Sequence, residues 1–166
     1  MADPFIHHPG LRGEILDPEE SFFFDFTKEK ILALLDDNGV PLPETHSDNL
    51  REALRRQTLA QADEGDVWIF AYGSLMWDPG FHFAEIRRAR IEGYTRQFVL
   101  KDELGARGDM ERPGVMAALA PGPGCDGMAF RIAAEARSHP GRADRVSGDG
   151  YGRSGIKLRL HPRSRG

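Results

Sequence analysis

Hydrophobic spacing divides the chain into a helical stretch, a strand-rich stretch and a tail without a period. After Thr27, the apolar residues Ile31, Leu34 and Leu35 fall on one face of a 3.6-residue repeat. They predict a helix that Thr27 caps and Asn38-Gly39 stops, with Pro41 and Pro43 keeping it from resuming. Leu50, Ala53, Leu54 and Gln57 recur at helical spacing from Ser47 or Asp48 to about Ala60, predicting a second helix with Arg51, Arg55 and Arg56 mostly outside. At Asp66 the period changes. Val67-Trp68-Ile69-Phe70-Ala71-Tyr72 is a continuous apolar run rich in aromatic and β-branched side chains, set between Gly65 and Gly73, which is the pattern of a buried strand. Three more strands are predicted, from about Arg88 to Leu100, Val115 to Ala120 and Asp126 to Ile132, punctuated by glycine and proline clusters. No helical pattern separates them, so antiparallel pairing in a mixed or barrel-like sheet follows, and the class is α+β.

The two ends read differently. Residues 1–21 hold His7-His8-Pro9-Gly10 and Asp17-Pro18 without lasting periodicity and are expected to form an extended arm. The paired histidines then belong to a solvated tail, because a metal site needs ligands converging from ordered elements. Phe22-Phe23-Phe24 with Phe26 reads as an apolar strap packed on the domain. Residues 136–166 carry seven arginines, six glycines and four serines, with few apolar side chains before Ile156-Lys157-Leu158-Arg159-Leu160. Such a segment lacks the apolar surface to offset its ordering entropy and is expected to be mostly disordered. Charge draws the same boundary: residues 1–135 hold 14 basic against 24 acidic residues, residues 136–166 hold 8 against 2. The expected division is an arm over 1–21, a helical segment over 22–65, a β domain over 66–135 and a basic tail over 136–166.

At 166 residues the chain suits one domain with a real core, and its 40% hydrophobic content and net charge of −4 are ordinary for a globular protein. The tail interleaves no aromatic residue except Tyr151 among its arginines, so nucleic acid is not an expected partner. Neither a leader-like start nor a membrane-length apolar run is present, which makes the cytoplasm the expected location. The single cysteine, Cys125, excludes an internal disulfide and zinc held by cysteine pairs, and reads as a small packed thiol.

Chemistry points to the end of the first strand. Tyr72-Gly73-Ser74-Leu75 sets successive backbone N–H groups around a tight turn, with Gly73 free to take dihedrals closed to other residues, and a turn of this kind can hold a carboxylate or an oxyanion, though taken alone a glycine turn after a strand is more often just a turn. It lacks the ending of a P-loop, the G-x-G-x-x-G fingerprint and the G-x-S-x-G setting of a hydrolase serine. Its context is more specific. The run Trp68-Ile69-Phe70-Ala71-Tyr72-Gly73-Ser74-Leu75-Met76-Trp77-Asp78-Pro79-Gly80-Phe81 is followed by Arg107-Gly108-Asp109-Met110-Glu111-Arg112-Pro113-Gly114 and by Cys125-Asp126-Gly127-Met128-Ala129-Phe130-Arg131-Ile132. These three blocks, in this order, resemble the ChaC branch of the γ-glutamylcyclotransferases.

The resemblance implies a small mixed β-barrel with flanking helices, incomplete at its C-terminal side. It implies cleavage of glutathione to 5-oxoproline and Cys-Gly, with a small-molecule substrate and neither metal nor organic cofactor. By the same analogy Ile69, Phe70, Ala71, Tyr72, Gly73, Ser74 and Leu75 cradle the γ-glutamyl unit, with Ala71 standing where the family usually has glycine. The family's catalytic glutamate lies on a helix after the strand matching Gly127 to Ile132, in a stretch beginning with an Arg-Glu pair. Here the resemblance ends at about Glu135, so the catalytic residue is unassigned, and a change of reading frame near that point would give such a switch. Glu85, Glu103, Asp109 and Glu111 lie in the resembling region without that role in the family, and Glu111-Arg112 reads as a loop-ordering pair. Trp68 and Trp77 flank the loop as pocket wall or core. The alternative function is a non-catalytic protein that binds γ-glutamyl compounds.

Overall fold

The computed structural model describes residues 3–25, 27–37, 39, 46–60, 65–102, 108, 111–138 and 158–160. The expectations placed on Asn38, Pro41, Pro43, Glu103, Asp109 and most of the basic tail lie outside those residues.

Both predicted helices form: α1 spans Lys28–Asp37 and α2 spans Asp48–Ala60. Each starts on a hydroxyl that accepts an otherwise unpaired amide, Thr27 from Lys30 N–H at 3.4 Å and Ser47 from Leu50 N–H at 3.3 Å. Gly39 stops α1 at φ +65. Of the apolar face on α1 only Leu35 is buried, while Ile31 and Leu34 stay exposed.

Six strands follow among the described residues: β1 Val67–Ala71, β2 Glu85–Ile91, β3 Tyr94–Asp102, β4 Gly114–Pro121, β5 Cys125–Ile132 and β6 Leu158–Leu160. Pairing is antiparallel throughout, in a four-stranded sheet of order β1-β5-β2-β6 and a two-stranded ribbon β3-β4. The class is α+β, and the sheet curls as half of a barrel.

The strand expected from Arg88 to Leu100 is two strands. Glu92 and Gly93 turn a corner between β2 and β3, Gly93 taking φ +81, and residues 122–124 turn the matching corner between β4 and β5. A long hairpin is thereby bent, its distal half paired Tyr94 with Pro121 and its proximal half Ile91 with Cys125. The corner was invisible because a glutamate and a glycine inside a strand-like run break no periodicity.

Alternation along the strands sends Ile69, Ala71, Ile86, Met128, Phe130 and Ile132 to one face, where they form the core with Ile15 and Phe81. Phe130 is fully buried, meeting the ring edges of Phe81 at 5.7 Å and Phe83 at 4.9 Å. Ala89, Ile91, Cys125 and Ala129, on the opposite face, are buried as well. On β1, Ile69 and Ala71 are buried while Trp68 and Phe70 on the opposite face are half-buried, so its apolar run covers one buried face and one half-buried face.

The arm is not a solvated tail. Ile15 belongs to the core with Phe5 and Leu11 packed against it, and His7 and His8 are buried. Ile86 N–H donates to the Pro4 carbonyl at 3.1 Å and Arg88 N–H to His8 Nε2 at 3.1 Å, so the arm satisfies the part of the β2 edge that β6 leaves unpaired. Leu16 N–H donates to the Trp77 carbonyl at 2.8 Å. Further on, Phe23 lies over Gly80 and Phe24 stands edge-on to His82 at 5.2 Å, but Phe22 and Phe23 stay largely exposed, so the expected strap is only partly packed; Phe26 lies outside the described residues. In the basic tail, Leu158–Leu160 pairs with Ala89–Ile91 and corrects the expectation of disorder for those residues.

Candidate active site

β1 delivers the chain to the bend. Its last pair is Ala71 with Met128, and the next position, Tyr72, falls in line with Gly127 of β5. A Cβ on Gly127 would fall against the Ala71 carbonyl oxygen and 2.7 Å from Phe70 Cζ. Only glycine lets Phe70 lie there, stacked on Tyr72 with ring centroids 6.4 Å apart.

After Tyr72, Gly73 leads into one 3-10 turn, Ser74–Met76. Met76 N–H donates to the Gly73 carbonyl at 2.9 Å, and Trp77 and Asp78 N–H both donate to the Ser74 carbonyl, at 2.9 and 3.0 Å. The N–H groups of Gly73, Ser74 and Leu75 donate to nothing among the described residues, as the first amides of any helical turn must unless something caps them. Gly73 takes φ −142, outside the left-handed region, so its value lies in space: a Cβ there would meet nothing within 4 Å. The bend therefore offers unpaired N–H donors beside an open approach.

The seven residues singled out from the sequence divide by face. Ile69 and Ala71 point into the core, Leu75 packs partly against it, Phe70 and Tyr72 share the opposite face, and Gly73 and Ser74 form the turn. Trp77 is half exposed beyond the turn. Asp78 has a buried Oδ1 without a hydrogen-bond partner among the described residues.

Arg96, on β3, reaches the bend from the ribbon. Its Nη1 donates to the Tyr72 carbonyl at 2.7 Å. Nothing in the sequence marked it, because an arginine on a strand is ordinary and its approach depends on the corner at Gly93.

A charged cluster sits at the far end of the sheet. Glu85 accepts from Arg87 Nε at 2.6 Å and from Arg131 Nε at 3.1 Å, and meets His7 Nε2 at 3.0 Å. Arg131 also donates to Asp66 at 2.7 Å, and Asp66 accepts from Ala134 N–H at 3.0 Å. Burial works to raise the Glu85 pKa, but the two arginines and His7 outweigh it and hold the carboxyl below its ordinary range. The Asp66 carboxyl is lowered mainly by Arg131, then by the Ala134 amide. Glu85, Arg131 and Trp68 are in register across three strands, four residues from Tyr72, about 13 Å along the sheet. Glu85 is thus engaged by Arg87 and Arg131 at the end of the sheet away from the bend. Glu111 is exposed before β4, and Glu103 and Asp109 lie outside the described residues. Cys125 is buried, with its Sγ 3.5 Å from the Asp126 carbonyl, a packed thiol as expected.

With this geometry in place, comparison with known families is decisive: the model of the ChaC-like protein family matches residues 67–163. The chain belongs to the ChaC-like protein family. The match begins with β1, and it carries the likeness past Glu135, where the sequence reading ended it, to include β6. Over 86 residues the chain is 44% identical to a glutathione-specific gamma-glutamylcyclotransferase of Escherichia coli, covering 51% of this chain and 37% of that protein. Over 87 residues it is 37% identical to the Schizosaccharomyces pombe protein of the same description, covering 43% and 42%. Human glutathione-specific gamma-glutamylcyclotransferase 1 is 37% identical over 78 residues, covering 44% and 35%. The chain spans about two fifths of the length of these ChaC-like relatives. Among solved structures, a yeast glutathione-specific γ-glutamylcyclotransferase superposes with a TM-score of 0.39 at 23% identity, covering 43% of this chain and 42% of that one. Among the described residues, no helix is long and apolar enough to cross a membrane.

Proposed function

We propose that this chain carries the substrate-holding part of a γ-glutamylcyclotransferase acting on glutathione, a lyase that releases 5-oxoproline and Cys-Gly. Ile69 to Leu75 form the cradle, and the unpaired N–H groups of Gly73, Ser74 and Leu75 receive the anionic part of the γ-glutamyl unit. The observation that carries this reading is the open bend, with three amides that have no partner among the described residues, in a chain of the ChaC-like family.

The reaction is internal. The α-amine nitrogen attacks its own γ-carbonyl carbon, a five-membered ring closes, the amide bond to cysteine breaks and the released cysteinyl nitrogen takes up the proton that the attacking amine loses. No water is consumed, and the chemistry asks for no metal or organic cofactor. Holding amine and carbonyl in near-attack geometry lowers such a barrier by roughly 7–11 kcal/mol in favourable cases. A base must first take the ammonium proton, and amides aimed at the developing oxyanion add to the effect. Glutathione is the expected partner, in the cytoplasm, with neither a membrane nor nucleic acid involved.

A second reading has its own support. Glu85, a partly buried carboxylate of the matching region, is paired with two arginines at the wrong end of the sheet. A chain without a base at the bend binds γ-glutamyl compounds and leaves them intact. One experiment separates the readings: titrate the purified chain with glutathione by calorimetry and assay the mixture for 5-oxoproline. Binding with release supports the enzyme, binding without release the non-catalytic protein, and no binding at millimolar glutathione removes both.

A further inference from the structure

The peptide unit joining Tyr72 to Gly73 is held at one end only. Its carbonyl accepts from Arg96 Nη1 at 2.7 Å, whereas its N–H, that of Gly73, has no partner among the described residues. The described peptide bonds are all trans, and in a planar trans unit the C=O and N–H point in opposite directions. Whatever fixes the carbonyl therefore aims the amide.

Little else fixes it. Gly73 has no side chain to wedge against a neighbour, and the hydrogen bonds of the 3-10 turn begin one peptide unit later, at the Gly73 carbonyl. Opposed rotations about Tyr72 ψ and Gly73 φ turn the unit over without disturbing strand or turn, and a glycine resists such rotations least.

The position of Arg96 depends on the corner. Tyr72, Gly127 and Ala89 are in register across the sheet. Without the turn at Glu92 and Gly93, the seven residues after Ala89 would carry Arg96 about 23 Å along the strand, far beyond side-chain reach of Tyr72. The corner turns β3 back so that a permanently charged, forked donor arrives at the bend.

We propose that Arg96 is a positioning residue for the ligand cradle: by gripping the Tyr72 carbonyl it keeps the Gly73 N–H directed at the anionic group of the γ-glutamyl unit. This rests on the cradle reading above, and Arg96 itself does not touch the ligand.

The test compares the unaltered chain with Arg96→Ala and Arg96→Lys. Calorimetry uses glutathione and its glycyl ethyl ester, while 15N relaxation dispersion follows the Gly73 amide without ligand. R96A is expected to bind both compounds about tenfold more weakly at unchanged Tm, the scale of one charge-assisted hydrogen bond, with R96K recovering most of the loss. In R96A the Gly73 amide is expected to gain microsecond-to-millisecond exchange that the unaltered chain lacks. Unaltered affinity in R96A, a Gly73 amide without new exchange, or a loss that only tracks a falling Tm overturns the proposal. So does a loss confined to unesterified glutathione, which makes Arg96 a direct carboxylate ligand. An unaltered chain that binds neither compound removes the cradle reading itself, and the Gly73 dispersion still decides whether Arg96 holds the peptide.

Discussion

Gly122 donates its N–H to the Gly93 carbonyl at 3.1 Å, so the two corners at which the chain passes between sheet and ribbon are fastened to each other. The same joint sets the direction in which β3 leaves the sheet, and from β3 Arg96 reaches the Tyr72 carbonyl.

Gly93→Ala tests the joint. Nothing lies within 4 Å of the added methyl, so the cost is that of holding alanine at φ +81, about 1–2 kcal/mol. Urea unfolding should show a lower midpoint at unchanged slope. An unchanged midpoint would mean that the corner relaxes to accept alanine.

Gly127→Ala should be more harmful, because the methyl meets main chain. It would strike the Ala71 carbonyl and the Phe70 ring at the point where β1 hands over to the bend. The expected loss is about 3 kcal/mol, with glutathione binding weakened beyond what the lower Tm explains. Thermal unfolding and calorimetry on the same sample check both parts.

Only particular features of this fold are readable from residue order. The Thr27 cap, a second helix starting at Ser47 or Asp48 and the apolar run of β1 are local signals, each decided within a few neighbours, and they form as read. The corner at Gly93, the burial of His7 and His8 and the pairing of Leu158–Leu160 with β2 are contacts between distant segments. Such contacts leave no period, because their stabilisation comes from the partner and not from their own pattern. The candidate bend was legible for the same reason as β1, a strand ending in glycine. Arg96, which reaches it through the corner, was not.

Ile15→Ala measures how far the arm belongs to the core. Ile15 is buried against Ile69, Phe81 and Phe130 in one cluster, so its truncation should cost about 2–4 kcal/mol. Circular dichroism in increasing urea reads the change, and a loss below about 0.5 kcal/mol would return the arm to a dispensable tail.

Glu85 links stability to acid. Its carboxyl titrates below the ordinary range when folded, so the stabilisation it provides is complete above the unfolded value and is lost as pH falls through the folded one. Stability should decline in the acid range below the ordinary carboxylate values. Glu85→Gln should remove part of that decline while costing about 2 kcal/mol at neutral pH, because Arg87 and Arg131 lose a charged acceptor. Parallel pH dependences in the two proteins would show that other carboxylates govern the acid transition.

Trp77 closes the bend, and its carbonyl accepts from the amide of Leu16 in the N-terminal arm. If the bend is the proposed cradle, fraying at the start of the chain is expected to reach it as slack through this hydrogen bond. A tag or a protease cut near the amino terminus, far from any ligand contact, would act as a remote tuner of affinity.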